Sequence, residues 1–223
     1  MTRIAVSLHT ASGLEPIELA IRDLVIAGWT GRDRTAVEAH IHELTALGVA
    51  PPSRTPIFYR VSASLLTTAA EIQVLGSDSS GEVEFVLIRH RARLLLGLGS
   101  DHTDRKAEAA GVALSKQLCP KVISPDVWDF ADVEPHWESL SVRSVVVEAS
   151  RPVLYQEGSV SQILHPGALL ESYGETADAM FCGTLAAIGG VRWSGEFSME
   201  LEDPVLRRKL QHRYTVEALP VET

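Results

Sequence analysis

The 223-residue chain has little cysteine, no excess of basic residues and no long hydrophobic run. Its two cysteines, Cys119 and Cys182, lie far apart, and the opening MTRIAVSLH shows no signal-peptide pattern. A secreted domain built on disulfides is therefore not expected, and we expect two reduced thiols in a cytoplasmic protein. No stretch approaches the roughly 18 apolar residues that a membrane-spanning helix needs, so we expect no membrane partner.

Acidic residues outnumber basic ones, which gives a formal net charge of −9 and a pI near 5.4. A nucleic-acid-binding surface normally clusters lysine and arginine, so this composition argues against a nucleic-acid partner. Hydrophobic residues make up 45% of the chain and charged residues 22%, which is ordinary for a globular protein with a large core. The acidic balance also suits a cation-binding site.

Short apolar stretches recur along the chain, separated by glycine, proline and small polar residues. This pattern predicts many short β-strands, which we place at residues 3–8, 56–61, 71–75, 82–90, 92–98, 142–148, 153–155, 179–182, 197–202 and 214–219. Residues 17–26 fit a helix or a strand, and residues 161–170 fit a helix interrupted at Pro166. Helical patterns occupy residues 35–47 and 105–116. The sequence therefore predicts a β-rich α+β fold rather than a doubly wound one.

A proline-rich stretch, Pro51 to Thr55, is the predicted joint between two parts of the chain. Prolines cannot continue a helix, so the helical pattern before them must end there. We predict a small N-terminal lobe at residues 1–50 and a β-rich body at residues 51–223.

The clearest helix signal lies at residues 35–47, where Thr35 and Glu38 have the spacing of a capping box. On this helix His40 and Glu43 are three residues apart, so their side chains are neighbours. A carboxylate beside an imidazole orients the ring and raises its basicity, which is the form of a general-base pair. The alternative is that both side chains are solvated surface residues.

A Glu-x-Glu pair, Glu82 and Glu84, lies at the start of the predicted strand 82–90. Side chains alternate along a strand, so both carboxylates share one face. Two like charges are costly to bury, and a hard divalent cation with a third carboxylate removes that cost. Asp101 follows the next predicted strand and is the candidate third ligand. The alternative is that both glutamates lie on the solvated face of an edge strand.

These features, taken in chain order, resemble the fumarylacetoacetate hydrolase (FAH) superfamily over residues 37–219. The resemblance is closer to the short acylpyruvase-like and oxaloacetate decarboxylase-like members. It is carried by His40-Ile41-His42-Glu43, Phe58-Tyr59-Arg60-Val61, Glu82-Val83-Glu84, Asp101-His102-Thr103-Asp104-Arg105, Ser115-Lys116-Gln117, Gln156-Glu157-Gly158 and the segment Ala177 to Leu185. Arg60 stands where the family has lysine, and the family's proline after Thr184 is absent. The chain therefore resembles a divergent branch.

The resemblance implies a mixed β-sheet roll like the FAH C-terminal domain, with few short helices. It implies that the helix at residues 35–47 is a lid on the N-terminal lobe and that the protein is a homodimer. It also implies that Mg²⁺ or Mn²⁺ is bound by Glu82, Glu84 and Asp101.

The other site residues follow from the same resemblance. His40 and Glu43 would activate water, and Lys116 would hold developing negative charge. A lysine late in a helix can instead simply interact with the helix dipole. The substrate-binding residues implied by the resemblance are Arg60, Gln156 and Thr184.

The function implied by the resemblance is hydrolysis or decarboxylation that cleaves a C–C bond in a small β-diketo or 2-oxo acid through a metal-stabilised enolate. A hydratase or isomerase on the same scaffold stays open, as does a non-catalytic small-acid-binding protein, because a fold does not fix its chemistry. A zinc site made of His90, His102 and Cys119 would lack the usual ligand spacing.

Overall fold

The computed structural model describes residues 1–46 and 51–222. Strands dominate these residues. They are β1 (Thr2–Thr10), β2 (Gly13–Ile21), β3 (Leu24–Gly28), β4 (Ile57–Val61), β5 (Leu66–Thr67), β6 (Glu71–Leu75), β7 (Ser79–Ser80), β8 (Val83–His90), β9 (Arg93–Asp101), β10 (Thr103–Asp104), β11 (Lys121–Ile123), β12 (Asp126–Asp129), β13 (Ser141–Glu148), β14 (Arg151–Ser159), β15 (Ala179–Thr184), β16 (Glu196–Asp203) and β17 (Arg208–Leu219).

The helices of the described residues are short. They are α1 (Arg34–Ala46), α2 (Arg105–Glu108), α3 (Val112–Gln117), α4 (Phe130–Val133) and α5 (Pro166–Tyr173), with 3-10 turns at Ala63–Leu65, Glu134–Ser139 and Val160–Gln162. The predicted β-rich α+β class with few short helices is confirmed. No helix in these two ranges has the length and apolar character needed to cross a membrane.

Ten of the described strands form one curled sheet, which we call the first sheet. Its main path runs β2-β1-β12-β9-β8-β15-β3-β4, and β11 joins β9 to β5. The second sheet has the order β14-β13-β16-β17-β6. A two-strand ladder of β7 and β10 lies beside them.

The two sheets pack face to face across the larger hydrophobic cluster. On the first sheet, Val83, Phe85 and Leu87 of β8 contribute to it, and Phe197 and Leu201 of β16 contribute from the second sheet. These side chains are buried. Their removal from water is the main force holding the sheets together.

The opposite face of the first sheet curls around a second cluster of its own, and we call it the inner face. Ile4 and Leu8 of β1, Val86 and Ile88 of β8 and Phe181 of β15 belong to this cluster. Strand β8 thus buries apolar side chains on both faces, alternating residue by residue. This places β8 and its partner β9 at the centre of the molecule.

The helical pattern predicted at residues 105–116 is only partly continuous. It forms α2 and α3, which are separated at Gly111, a residue with φ 158°. Pro166 does not interrupt a helix as predicted but begins α5, where its missing N–H is not needed. Residues 17–26, left open by the sequence, belong to β2 and β3.

The predicted helix at residues 35–47 is present as α1, but its cap differs from the prediction. Asp33 Oδ1 accepts hydrogen bonds from the backbone N–H groups of Thr35 (2.9 Å) and Ala36 (3.2 Å). Asp33 therefore caps the helix, since its carboxylate reaches the free N–H groups of the first turn. The capping box inferred from Thr35 and Glu38 is wrong.

Strands from both sides of the predicted joint at Pro51 to Thr55 pair within the first sheet. β3 pairs with β4 and with β15, and β1 pairs with β12. The first sheet therefore contains strands from both predicted parts of the chain. The division into residues 1–50 and 51–223 stays a prediction.

Gly99→Ala is expected to lower the free energy of unfolding by about 1–3 kcal/mol, the range typical of an overpacked core. A Cβ atom at Gly99 would lie 2.6 Å from Phe181 Cε1 and 2.8 Å from Val86 Cγ2. Gly97→Ala is the matched control on the same strand, because its Cβ would lie 3.2 Å from the flexible end of Ile88. Urea unfolding measures both. Equal midpoints for the two variants would contradict this packing.

Candidate metal centre and active site

Three acidic side chains meet at one end of the inner face. Glu84 lies on the same face of β8 as Val86, which is the inner face. Its cross-strand partner on β9 is Gly99. Asp101 lies two residues further along the same face of β9, and its N–H donates to Glu82 O at 3.0 Å.

These three residues form a group that we call the carboxylate triad. Glu82, Glu84 and Asp101 each offer one carboxylate oxygen, and these oxygens lie within 4.8 Å of one another. Glu84 and Asp101 are buried, while the Glu82 side chain is 18% exposed. The structure therefore brings together the three residues predicted from the sequence as ligands, and Glu82 is the most exposed of them.

Glu84 is held by a backbone donor from β15. The N–H of Gly183 donates to Glu84 Oε2 at 2.6 Å. Gly183 has φ 100°, and a Cβ there would overlap Thr30 Oγ1, so glycine is required. Burial and then the charge of Asp101 raise the pKa of Glu84 well above its usual range. A cation placed beside Glu84 would favour its ionised form.

Asp101 is held between two lysines. Lys116 Nζ donates to Asp101 Oδ2, and Lys121 Nζ lies 2.9 Å from Asp101 Oδ1. Burial opposes ionisation of Asp101, but the charges of Lys116 and Lys121 outweigh it and lower the pKa to about 2. Asp101 is therefore an anion at neutral pH.

Lys116 also approaches a second member of the triad. Its Nζ lies 3.8 Å from Glu82 Oε2. Burial alone would lower the pKa of Lys116, but the charges of Asp101, Glu82 and Glu84 outweigh it and raise the pKa above its usual range. The ammonium group is therefore charged, and its side chain is 8% exposed.

Arg105 completes the charged surroundings of the triad. Its Nη2 lies 2.9 Å from Glu82 Oε1, and its Nε donates to Ser80 Oγ at 2.7 Å. Arg105 is the first residue of α2, and the Asp104 carboxylate caps that helix by accepting from Ala107 N at 2.8 Å. The cap fixes the position from which the guanidinium reaches Glu82.

The donor set of the carboxylate triad fits a hard divalent cation. Mg²⁺ binds carboxylate oxygens at about 2.1 Å, which places its ligands about 3–4 Å apart. The three oxygens within 4.8 Å need only small side-chain adjustments to reach this spacing.

The alternative zinc site is wrong. Among the side chains that the structure describes, which include His90, His102 and Cys119, the carboxylate triad is the one group of three potential ligands close enough to share an ion. His102 Nε2 lies 2.9 Å from Ser79 Oγ, and its Nδ1 lies 3.1 Å from Tyr214 OH. Burial lowers the pKa of His102 to about 3, so the ring is a neutral part of a buried hydrogen-bond network.

Gln156, predicted to bind substrate, lies between the two sheets with its amide fully used. Its Oε1 accepts from Val83 N (2.9 Å) and Ser144 Oγ (2.9 Å). Its Nε2 donates to Thr184 Oγ1 (2.7 Å) and Leu185 O (2.6 Å). A glutamine amide offers two donors and one acceptor oxygen, so no donor is left for a substrate.

Thr184, also predicted to bind substrate, is the cross-strand partner of Glu84. Its hydroxyl donates to Val83 O at 2.7 Å and accepts from Gln156. Thr184 is thus beside the triad, but its hydroxyl proton is engaged in holding β15 to β8.

Arg60 lies on the opposite face of β4 from the triad. Tyr59 and Val61 pack with the inner-face cluster, and Phe58 packs with the cluster between the sheets. Since side chains alternate, Arg60 shares the side of Phe58. Its largely exposed guanidinium forms an ion pair with Asp23. The structure does not bring Arg60 to the carboxylate triad.

The predicted His40 and Glu43 pair lies on α1, but the side chains of these two residues lie outside the described part of the structure. The helix that carries them is present over Arg34–Ala46. Their role as a general-base pair stays a prediction.

Sequence reasoning missed two residues near the triad, Lys121 and Tyr59. Lys121 begins the buried strand β11, and a lysine next to the apolar Val122 and Ile123 is a signal that could have been used. Tyr59 lies on the inner-face side of β4, where burial raises its pKa and the charge of Lys116 opposes that shift. The charge of Lys116 therefore acts on the Tyr59 phenol.

Solved structures of other proteins share this fold. One is described as Cg1458, with a TM-score of 0.65, 15% identity, and coverage of 93% of this chain and 81% of that chain. Another is a 2-keto-3-deoxy-D-arabinonate dehydratase complexed with magnesium and 2,5-dioxopentanoate, with a TM-score of 0.62, 12% identity, and coverage of 96% and 79%. These likenesses show an FAH-like fold.

At the level of sequence, no curated protein matches the chain. Residues 27–214 match the model of a family described as a protein of unknown function, DUF2848. The matched range includes all three residues of the carboxylate triad and both lysines that contact Asp101.

Glu84→Gln and Asp101→Asn are each expected to weaken Mn²⁺ binding by about a hundredfold or more. Loss of a supporting residue around a metal costs about 10–100-fold, and loss of a charged ligand costs at least as much. Glu157→Gln, which changes an exposed glutamate on β14, is the control. Isothermal titration calorimetry measures the affinities. Equal Mn²⁺ affinity in all three variants would exclude the triad as the metal site.

Proposed function

The chain belongs to the family described as a protein of unknown function, DUF2848, and we propose that it is a divalent-metal-dependent hydrolase or decarboxylase. The proposed substrate is a small β-diketo or 2-oxo acid, in which the enzyme cleaves a C–C bond. The observation that carries the proposal is the buried carboxylate triad with the Lys116 ammonium on Asp101.

The triad would hold the cation through one oxygen each of Glu82, Glu84 and Asp101. Mg²⁺ or Mn²⁺ suits such all-oxygen ligation with positions left for other ligands. When bound, the cation supplies a Lewis acid that polarises the oxygens of an oxo acid and stabilises negative charge on them. Glu82 is the most exposed of the three, so its side of the triad is where the substrate would approach.

Lys116 is the proposed stabiliser of negative charge on the substrate. Its ammonium is charged, lies at the triad and keeps a small exposed surface. A fixed positive charge in a site that excludes water stabilises an anion that forms when a C–C bond breaks.

His40 and Glu43 are the proposed water-activating pair. A carboxylate that orients an imidazole makes it a better general base. Their helix, α1, is the proposed lid, which would close over the bound substrate and exclude bulk water. Decarboxylation needs no attacking water, so this pair would distinguish the two reactions.

The substrate carboxylate would lie near Thr184, which pairs with Glu84 across the sheet. Gln156 would not contact the substrate, because both of its amide donors are bonded to the protein. Arg60 would not contact it either, because Arg60 lies on the other face of β4 and forms an ion pair with Asp23.

A second candidate is a dehydratase on the same scaffold. The specific observation in its favour is the shared fold with a 2-keto-3-deoxy-D-arabinonate dehydratase complexed with magnesium. Loss of water from a 2-oxo-3-deoxy acid also passes through negative charge on the oxo-acid oxygens. The triad and Lys116 would therefore serve either reaction, and the product tells them apart.

Turnover of acylpyruvates, oxaloacetate and 2-keto-3-deoxy sugar acids is expected to require Mg²⁺ or Mn²⁺ and to stop with EDTA. Lys116→Met should lower kcat by about a hundredfold or more, since it removes a charge that stabilises the transition state. Product analysis distinguishes C–C cleavage from dehydration.

Lys106→Met, an exposed lysine on α2, is the control for that assay. Metal-dependent binding of these acids without any turnover would overturn the enzymatic proposal in favour of a non-catalytic acid-binding protein. Equal kcat in Lys116→Met and the wild type would remove Lys116 from the mechanism.

His40→Ala is expected to reduce hydrolysis of an acylpyruvate by about 10²–10⁴-fold, the usual contribution of a general base. It should leave decarboxylation of oxaloacetate nearly unchanged. His42→Ala, two residues away on the same helix, is the matched control. Full hydrolytic activity in His40→Ala would rule out water activation by this pair.

A further inference from the structure

Lys121 is a fully buried lysine that the proposed reaction does not use. It begins β11, and the register of β11 with β9 places it directly opposite Asp101. Side chains at such opposed positions lie on the same face and close together. Its Nζ lies 2.9 Å from Asp101 Oδ1 and donates to His102 O at 2.6 Å.

Lys121 and Lys116 differ in what they can reach. Lys116 keeps 8% of its side chain exposed and contacts two members of the triad, Asp101 and Glu82. Lys121 has no exposed side-chain surface and is fixed by two acceptors behind Asp101. Lys121 is therefore a positioning residue that cannot touch a substrate, and its effect on the site is electrostatic.

Three cationic side chains contact the three acids of the triad. Asp101 has an ammonium group on each oxygen, and Glu82 has the Arg105 guanidinium at 2.9 Å. The three carboxylates thus meet three cations. Glu108 contacts the other side of Arg105 at 3.3 Å, but it is partly exposed and its charge is screened by water.

A divalent cation entering this site alone would leave a buried excess of positive charge. Such an excess is costly where solvent is excluded. The cation would also compete with two ammonium groups for the oxygens of Asp101. A bound dianion, such as the enolate form of a 2-oxo acid, would remove the excess.

Resting on the proposed function, we infer that Lys121 makes the site take up its divalent cation together with the anionic substrate instead of holding a resident ion. The charge of Lys121 lowers the affinity for the cation alone and raises the affinity for the anion. Cation and substrate then bind cooperatively, because each supplies the charge that the other needs.

The test measures Mn²⁺ and oxalate binding by calorimetry, each alone and each with the other present. Wild-type protein should bind Mn²⁺ at least about tenfold more tightly when oxalate is saturating. Lys121→Gln removes the charge but keeps a donor for His102 O. The Lys121→Gln variant should bind Mn²⁺ alone about tenfold more tightly than the wild type, and it should bind oxalate alone more weakly than the wild type.

The affinity for Mn²⁺ is expected to rise and the affinity for oxalate to fall. This combination distinguishes an electrostatic role from loss of structure, because a damaged site would lose affinity for both ligands. Circular dichroism and thermal melting of Lys121→Gln establish that it is folded. Lys121→Met is a second variant, which also lacks a hydrogen-bond donor. It should likewise bind Mn²⁺ alone more tightly and oxalate alone more weakly than the wild type. Lys106→Gln, which removes an exposed charge, should leave both affinities unchanged.

Mn²⁺ affinity that is unchanged or lower in folded Lys121→Gln would overturn the inference. Tight Mn²⁺ binding by the wild type that oxalate does not alter would also overturn it, while leaving the metal-dependent function intact. If no variant binds Mn²⁺ even with oxalate, the proposed function fails as well.

Discussion

The mutual repulsion of three carboxylates buried at one end of the inner face is the constraint on which the site depends. Glu84 and Asp101 have almost no contact with water, so their charges must be balanced by the protein. Asp101 contacts the ammonium groups of Lys116 and Lys121, and Glu84 accepts a hydrogen bond from the backbone N–H of Gly183. Burial and the charge of Asp101 raise the pKa of Glu84, so the ionised form of Glu84 is costly to hold in this place.

The curled first sheet makes this arrangement rigid. Its outer face packs against the second sheet, and its inner face closes around its own cluster. β8 and β9 lie at the centre, so the residues that they carry cannot move apart without opening both clusters. Gln156 reinforces this centre by joining β14 to β8 and β15. The site is built on strands whose positions are fixed by packing.

Much of the fold and part of the site could be predicted from local patterns. Alternation located most strands, and the Glu-x-Glu spacing placed Glu82 and Glu84 on one face. The interpretation was less successful for Arg60 and Gln156, because a motif gives a position in the chain but not the face of the sheet or the competing partners. Arg60 is paired with Asp23 on the outer side.

The sequence by itself determined what depends on neighbours along the chain: most of the strands and the shared face of Glu82 and Glu84. Only the tertiary structure decided that Lys121 lies against Asp101. That contact depends on the register between β9 and β11. Register between separate strands is set by how whole faces pack, and no local spacing encodes it.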